Sequence, residues 1–390
     1  MGAKKTDKSV KPGAADVVGL VDDLLAKAVQ AEASDVHFEP TARELVVKYR
    51  LDGVLSVVER LPAAVAANVI ARLKVLSGLL TYRNDVPQEG RIEVPVDRAS
   101  QVADQRLAVF PTIHGQRAVV RLFYQARELA DLAGLGLPAG ILELLGSFAA
   151  GSQGVLLLTG PAGSGKSTTL AALLRHVLNR TPGRSVVTLE DPVEIRIDGA
   201  TQVQIAPHGE MTFPVALRSL LRQDPQVLMI GEIRDAETAR IAVEAGLTGH
   251  LLASTMHSGS PSGALLRLLE MGIEPYQVTS SIWGVINQRL VRRLCPACRR
   301  RTGAGSYEPV GCDQCLSTGY KGRALVAEAV QLDSSLRKAI LARADLDQLQ
   351  ALLDGLGHEG IAEHAGRLVA EGITSEDEAR RVCGAEGKQL

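Results

Sequence analysis

Four short runs of almost unbroken apolar residues mark the middle of the chain: VLLLT (155–159), VVTL (186–189), VLMIG (227–231) and the centre of HLLASTMH (250–257). Helical patterns lie between them. This strand–helix alternation predicts a parallel sheet covered by helices from about 140 to 290. The N-terminal block has a different rhythm. Residues 16–31 place Val17, Leu20, Leu24, Leu25 and Ala28 at helical spacing. SDVHFEP and RELVVKYRLDGVL then alternate, with a turn at Asp52–Gly53, and a second helical pattern spans about 62–77. GRIEVPV, DQRLAVFPT and GQRAVVRLF read as further strands. The expected organisation is a tail (1–15), a mixed α/β domain (16–125), a linker (126–140), an α/β core (141–290), a Cys-rich module (291–325) and a helical C-terminal region (326–390).

Composition narrows the function classes. A length of 390 residues suggests two or three domains. The formal net charge of −1 and an aromatic content of 3% do not suit direct nucleic-acid binding. No apolar run approaches the roughly 18 residues of a membrane helix. The N-terminal MGAKKTDKSVKPG is polar, without the apolar stretch of a signal peptide, so a cytoplasmic location is expected.

The first apolar run leads into GPAGSGKSTTL. Gly160, Gly165, Lys166 and Ser167 fit the phosphate-loop pattern G-x-x-x-x-G-K-[ST]. The glycines let backbone N–H groups curl around a phosphate, and the following helix N-terminus adds its dipole. The expected nucleotide contacts run from Gly160 through Pro161, Ala162, Gly163, Ser164 and Gly165 to Lys166, Ser167 and Thr168. Lys166 would reach the β- and γ-phosphates, and the Ser167 hydroxyl would ligate Mg²⁺.

Polar residues follow the other runs. VVTL ends in Glu190 and Asp191, with Glu194 beyond a proline. VLMIG ends in a glycine where phosphate-loop enzymes usually place an acid, and Glu232 follows. The last run lies between His250 and His257. Ligands of open parallel sheets bind beyond the carboxyl ends of the strands, so adjacent strands would bring Glu190, Glu232 and His257 together at the γ-phosphate. Glu232 would polarise water as a general base, and Glu190 would assist with that water or with Mg²⁺. Asp235 reads as a helix N-cap.

Cys295, Cys298, Cys312 and Cys315 form C-x₂-C, a thirteen-residue gap, and C-x₂-C. Two such turns can close a four-thiolate Zn²⁺ site, structural because no coordination position remains open. Cys383 reads as a plain thiol. Nearby arginines (Arg292, Arg293, Arg299, Arg300 and Arg301) fit either an acidic or membrane-proximal partner or a solvated face.

Taken in order, these motifs resemble the assembly ATPases of type II secretion and type IV pili over about residues 16–330. ASDVHFEP and VKYRLDGVL resemble that family's N-terminal domain, GPAGSGKSTTL its Walker A, and LEDPVE its aspartate box. MIGEIRDAETA resembles its atypical Walker B, and TGHLLASTMH its histidine box. The resemblance implies a RecA-like phosphate-loop core and a hexamer that hydrolyses ATP with Mg²⁺. It also implies an inner-membrane platform protein as partner and peripheral membrane association. It makes Glu232 the catalytic glutamate, Glu190 the acid of the aspartate box, and His250 and His257 the histidine-box residues. Arg106 and Arg121 would reach the nucleotide, a role suited to the planar guanidinium. Arg218, Arg222, Arg234 and Arg267 would line a subunit interface. The four-cysteine pattern points to assembly or secretion rather than retraction. Gln226 and Ser258–Gly259 depart from the family's usual residues. They leave open a non-hydrolysing, nucleotide-gated adaptor, and a pilus-linked DNA-uptake ATPase is a third reading.

Overall fold

The computed structural model describes residues 14–93, 102–124, 131–205, 209–302 and 305–384. They form two compact units, the first drawn from residues up to 127 together with 310–321 and the second from the remainder, each with its own sheet. The tail expected over 1–15 lies outside the described residues up to 13, and so does the first part of the expected linker, 126–130.

The first unit contains α1 (Ala14–Gln30), β1 (Asp35–Pro40), β2 (Glu44–Leu51), β3 (Val54–Pro62), α2 (Ala63–Leu76), β4 (Gln88–Ile92), β5 (Val102–Thr112) and β6 (Gly115–Tyr124). Its six strands pair antiparallel in the order β3-β2-β1-β6-β5-β4. The period-2 patterns explain the two faces. Val36, Phe38, Leu45, Val47, Leu107, Val109 and Val120 turn towards a core shared with Val21, Leu24, Val69 and Leu73 of α1 and α2. The alternate positions carry the charges. In register across the sheet stand Arg50, Asp35, Arg121, Arg106 and Arg91.

The second unit begins with α3 (Ala139–Ala150), β7 (Gly154–Thr159), α4 (Lys166–Arg180), β8 (Val186–Glu190), β9 (Thr201–Gln204), α5 (Phe213–Leu220) and β10 (Val227–Ile230). It continues with α6 (Ala236–Leu247), β11 (Leu251–Met256), α7 (Pro261–Glu270), α8 (Pro275–Ser281) and β12 (Ile282–Leu294). Then follow the short strands β13 (Arg300–Arg301) and β14 (Tyr307–Glu308), and β15 (Tyr320–Gln331). The chain closes with α9 (Ser334–Leu341), α10 (Leu346–Gly355), α11 (Ile361–Ala370) and α12 (Glu376–Cys383).

The large sheet runs β15-β12-β7-β11-β10-β8-β9, parallel from β12 to β9. Its central strands are buried on both faces, which is why they read as apolar runs rather than alternating ones. Val155 and Leu157 enter one core with Ile241, Leu265 and Leu268 of α6 and α7. Leu156 and Leu158 enter the other with Leu145, Leu170 and Leu173 of α3 and α4. This three-layer α/β core agrees with the expected fold class. Its sheet does not stop at 290, however. β12 extends to Leu294, and β15 is a further strand beside it. No helix among the described residues is long and apolar enough to cross a membrane.

Candidate nucleotide and metal sites

The loop after β7 is shaped by glycine. Gly160, Gly163 and Gly165 have φ of 135°, 73° and 88°, values that side chains with a Cβ rarely adopt. A Cβ on Gly160 would also lie 2.2 Å from the Gln288 carbonyl oxygen. The loop thus keeps its backbone open as a cradle, and α4 starts directly after Gly165. Lys166 folds back over it, its Nζ donating to the carbonyls of Gly160 and Pro161 at 2.9 Å each. Burial lowers the Lys166 pKa, while the charges of Glu232 and Glu194 pull it the other way. A part-buried ammonium without a direct carboxylate contact among the described residues is suited to a phosphate.

The strand order brings the predicted acids to this loop. β11 lies between β7 and β10, and β8 flanks β10 on its far side. A cavity of about 210 Å³ opens at their carboxyl ends, lined by Ala162, Gly163, Lys166, Ser167, Glu190, Asp191, Glu194, Glu232 and His257. Glu190 is buried and accepts from Thr188 Oγ1 at 2.6 Å and Gln202 Nε2 at 3.0 Å. Both hydrogen bonds reach Oε1, so the side chain is oriented by its own sheet.

Glu232 carries two partners. Arg234 pairs with Oε1, and His257 Nε2 stands 3.3 Å from Oε2. The Glu232 hydrogen bond and charge raise the Arg234 pKa, against the lowering effect of burial. Arg234 also lies 3.9 Å from Asp191. Gly231 leads the chain across the β8 end, its N–H bonded to Leu189 O at 2.7 Å. Thr255 Oγ1 holds the Gly231 carbonyl at 2.7 Å. The carboxylate therefore lies two residues past the end of β10 and still faces the cavity. Thr255 was not singled out in the sequence, because a threonine inside an apolar strand gives no motif.

His250 is not brought to this place. It precedes β11 at the opposite end from His257, with its Nδ1 3.2 Å from Ala245 O. Six strand residues at about 3.3 Å each separate the two histidines. The expected grouping of both with the nucleotide is corrected accordingly. Gln226 also sits away from the cavity, where its Oε1 accepts from Ser185 N at 3.1 Å before β10 begins. Ser258 belongs to the entry of α7, its hydroxyl donating to Ser260 O at 2.9 Å, and Ser260 caps that helix. Asp235 caps α6, as expected, by accepting from Thr238 N at 2.8 Å.

Several arginines have partners in their own unit. Arg121 Nε donates to Asp35 at 3.0 Å and Arg106 Nε to Asp104 at 3.3 Å, with the Arg106 guanidinium 5.0 Å from the Phe123 ring centre. Arg218 pairs with Glu237 at 2.6 Å, and Arg267 donates to His257 O at 3.1 Å.

The four cysteines assemble from two similar turns. Cys298 N donates to Cys295 O at 3.2 Å, and Cys315 N to Cys312 O at 3.1 Å. Cys315 Sγ accepts from Cys312 N and Gly319 N, both at 3.2 Å. The Cys312 and Cys315 sulfurs are 3.8 Å apart, and all four lie within 4.8 Å of one another. A tetrahedral ion with Zn–S of about 2.3 Å requires sulfur separations of about 3.8 Å. The donor set therefore fits zinc. Cys383 is buried on α12, and burial pushes its thiol up to about 11.

A family model described as "Type II/IV secretion system protein" matches residues 11–381. The chain is 40% identical over 388 residues to the putative type II secretion system protein E of Escherichia coli K12, covering 95% of this chain and 78% of that one. It is 41% identical over 369 residues to type II secretion system protein HxcR of Pseudomonas aeruginosa, covering 94% and 77%. With the type IV pilus assembly ATPase PilB of Thermus thermophilus it shares 37% identity over 379 residues, 92% of this chain but 42% of PilB. Among solved structures, the Legionella pneumophila ATPase DotB superposes with a TM-score of 0.68 at 22% identity, covering 97% of each chain. The pilus retraction motor PilT with bound ADP gives 0.61 at 23%, covering 94% of this chain and 98% of PilT. These two likenesses concern the fold.

Proposed function

Because the chain belongs to the type II/IV secretion system protein family, we propose that it is the hexameric ATPase of a secretion or pilus-assembly machine. The observation that carries this reading is the meeting of the phosphate loop with Glu190, Asp191, Glu232 and His257 around one cavity. Loop N–H groups and Lys166 bind the phosphates, and the helix N-terminus of α4 favours their charge. Ser167, with the aid of Asp191 and Glu190, would hold a Mg²⁺ ion, which would supply neutralising charge to the phosphates. Glu232 orients and deprotonates the attacking water after Arg234 yields Oε1, and His257 holds the other carboxylate oxygen. Arg106 and Arg121 are the arginines proposed to stabilise charge during transfer.

The hexamer works at the cytoplasmic face of the inner membrane against a platform protein. The four cysteines hold a structural zinc, so a thiol-competing chelator should lower the melting temperature without direct effect on the nucleotide cavity. Nothing in the site favours the adaptor, since Gln226 is remote from the cavity and Ser258 serves a helix entry. Phosphate release from Mg-ATP tests the assignment. Lys166→Ala should reduce it at least a hundredfold, and equal release from both proteins would refute the site.

A further inference from the structure

The phosphate loop is also held from the side away from the acids, by residues outside its motif. β12 runs parallel to β7 and places Asn287 opposite Thr159, the last residue before the loop. Gln288 comes next and is completely buried. Its Nε2 donates to the Ser164 carbonyl at 2.9 Å. Its own carbonyl oxygen occupies the space that a Cβ on Gly160 would need, 2.2 Å away, and its Nε2 would lie 3.3 Å from a Cβ on Gly165. One residue thus meets the loop at its first glycine, at Ser164 and at its last glycine.

Two buried polar atoms here have no hydrogen-bond partner among the described residues, Gln288 Oε1 and Ser164 Oγ. Such atoms are rare in folded proteins and costly, so a loop state that pairs them is favoured. Ser164 Oγ is 2.9 Å from the position a Cβ on Gly160 would take, the same small space that the Gln288 carbonyl faces. The Ser164 hydroxyl can donate and the Gln288 Oε1 can accept, and Gln288 Nε2 is already bound to the Ser164 carbonyl.

We propose that Gln288 is a positioning residue of the phosphate loop, which fixes the cradle through Ser164 and accepts the Ser164 hydroxyl when a nucleoside di- or triphosphate fills it. Gln288 touches no phosphate in this scheme. It sets the direction of the loop N–H groups that do. Its neighbour Asn287 points the other way, as alternate strand residues must, and donates to Gly259 O at 2.9 Å and Glu328 Oε1 at 2.7 Å. Consecutive residues of β12 therefore hold the phosphate loop and the loop after His257. The inference rests on the nucleotide reading of the cavity.

The test is titration of the full chain with Mg-ADP and Mg-ATP, alongside steady-state phosphate release. Gln288→Met keeps the volume and removes both polar atoms. Both nucleotides should weaken by about tenfold, the loss expected of one buried hydrogen bond. KM should rise by the same factor while kcat changes less than about threefold. Unchanged affinity in the folded variant, with only a lower melting temperature, overturns the proposal. If Gln288→Met does not fold, Gln288→Glu decides. Its ionised carboxylate cannot donate to Ser164 O, so its deficit relative to wild type should shrink from pH 8 to pH 6 as a donor returns. A deficit independent of pH overturns the proposal. Wild type that binds neither nucleotide overturns the nucleotide reading together with this inference. Wild-type binding matched by the variants overturns the inference alone.

Discussion

The two sheets use similar residues in opposite ways. In the first unit, charges spread across one face of an antiparallel sheet and neutralise one another locally. Asp35 accepts from Arg50 at 3.1 Å and Arg121 at 3.0 Å, and Asp104 from Arg91 at 2.5 Å and Arg106 at 3.3 Å. In the second unit, strands buried on both faces leave no place for charge except at their ends. Parallel order puts all those ends on one side. Glu190, Asp191, Glu232 and His257 consequently gather around one cavity, and Arg234 meets only part of their charge. Antiparallel pairing distributes polar groups, whereas parallel pairing concentrates them, and concentration is what a phosphoryl-transfer site requires.

If the concentration is functional, Glu232→Gln should cut kcat by about 10²–10⁴-fold, the range for losing a positioned base, with nucleotide affinity nearly unchanged. Steady-state rates beside equilibrium titration would separate the two effects. A loss of affinity without a loss of kcat would make Glu232 a binding group and weaken the contrast with the first unit.

A buried charge that is fully paired should behave differently. Burial pushes the Glu378 carboxyl up, but hydrogen bonds from Arg381 and Arg292 prevail and hold it at about 2, against an ordinary 4.5. Its folded-state pKa is depressed, so its contribution is complete above pH 4.5 and is lost as pH falls towards 2. The contribution is at most about 3 kcal/mol. Urea melts from pH 6 to pH 3 should show a steeper fall in stability for the wild type than for Glu378→Gln. Parallel pH profiles for the two proteins would remove Glu378 as the cause.

The smallest effect is expected in the first unit. Burial raises the Asp35 pKa, yet hydrogen bonds from Ser34 and Arg121 outweigh it and keep the carboxyl below its usual range. Asp35→Asn keeps the shape and weakens the bonds to the partly exposed Arg50 and the largely exposed Arg121, a cost of roughly 1 kcal/mol. Chemical denaturation would measure it. A cost several times larger would show that this face, too, is built around a concentrated charge.

Much of this contrast was legible in the sequence. Unbroken runs such as VLLLT marked doubly buried strands, and the alternation around Val36 and Phe38 marked a one-sided sheet. The phosphate loop could be read because its glycines carry a backbone requirement that few other residues meet. The cysteine spacing was equally direct, since each turn must present two thiolates. What the sequence did not reveal depends on strand order and on which end of a strand a residue occupies. His250 and His257 look alike in HLLASTMH, yet only His257 reaches the cavity. Gln288 lies 123 residues after Gly165 in sequence and meets the loop only because β12 pairs with β7. The sequence pattern divides β15 between the Cys-rich module and the helical tail, because its Gly- and Arg-containing start masks the apolar ALVAEAV that follows.

The central claim is that Glu232, two residues beyond the end of β10, is the carboxylate that activates water. The most direct test is to load Glu232→Gln and wild type with Mg-ATP, isolate the complexes rapidly and identify the bound nucleotide. The account predicts intact ATP on Glu232→Gln and ADP on wild type. ADP on both, formed at the same rate, would contradict it.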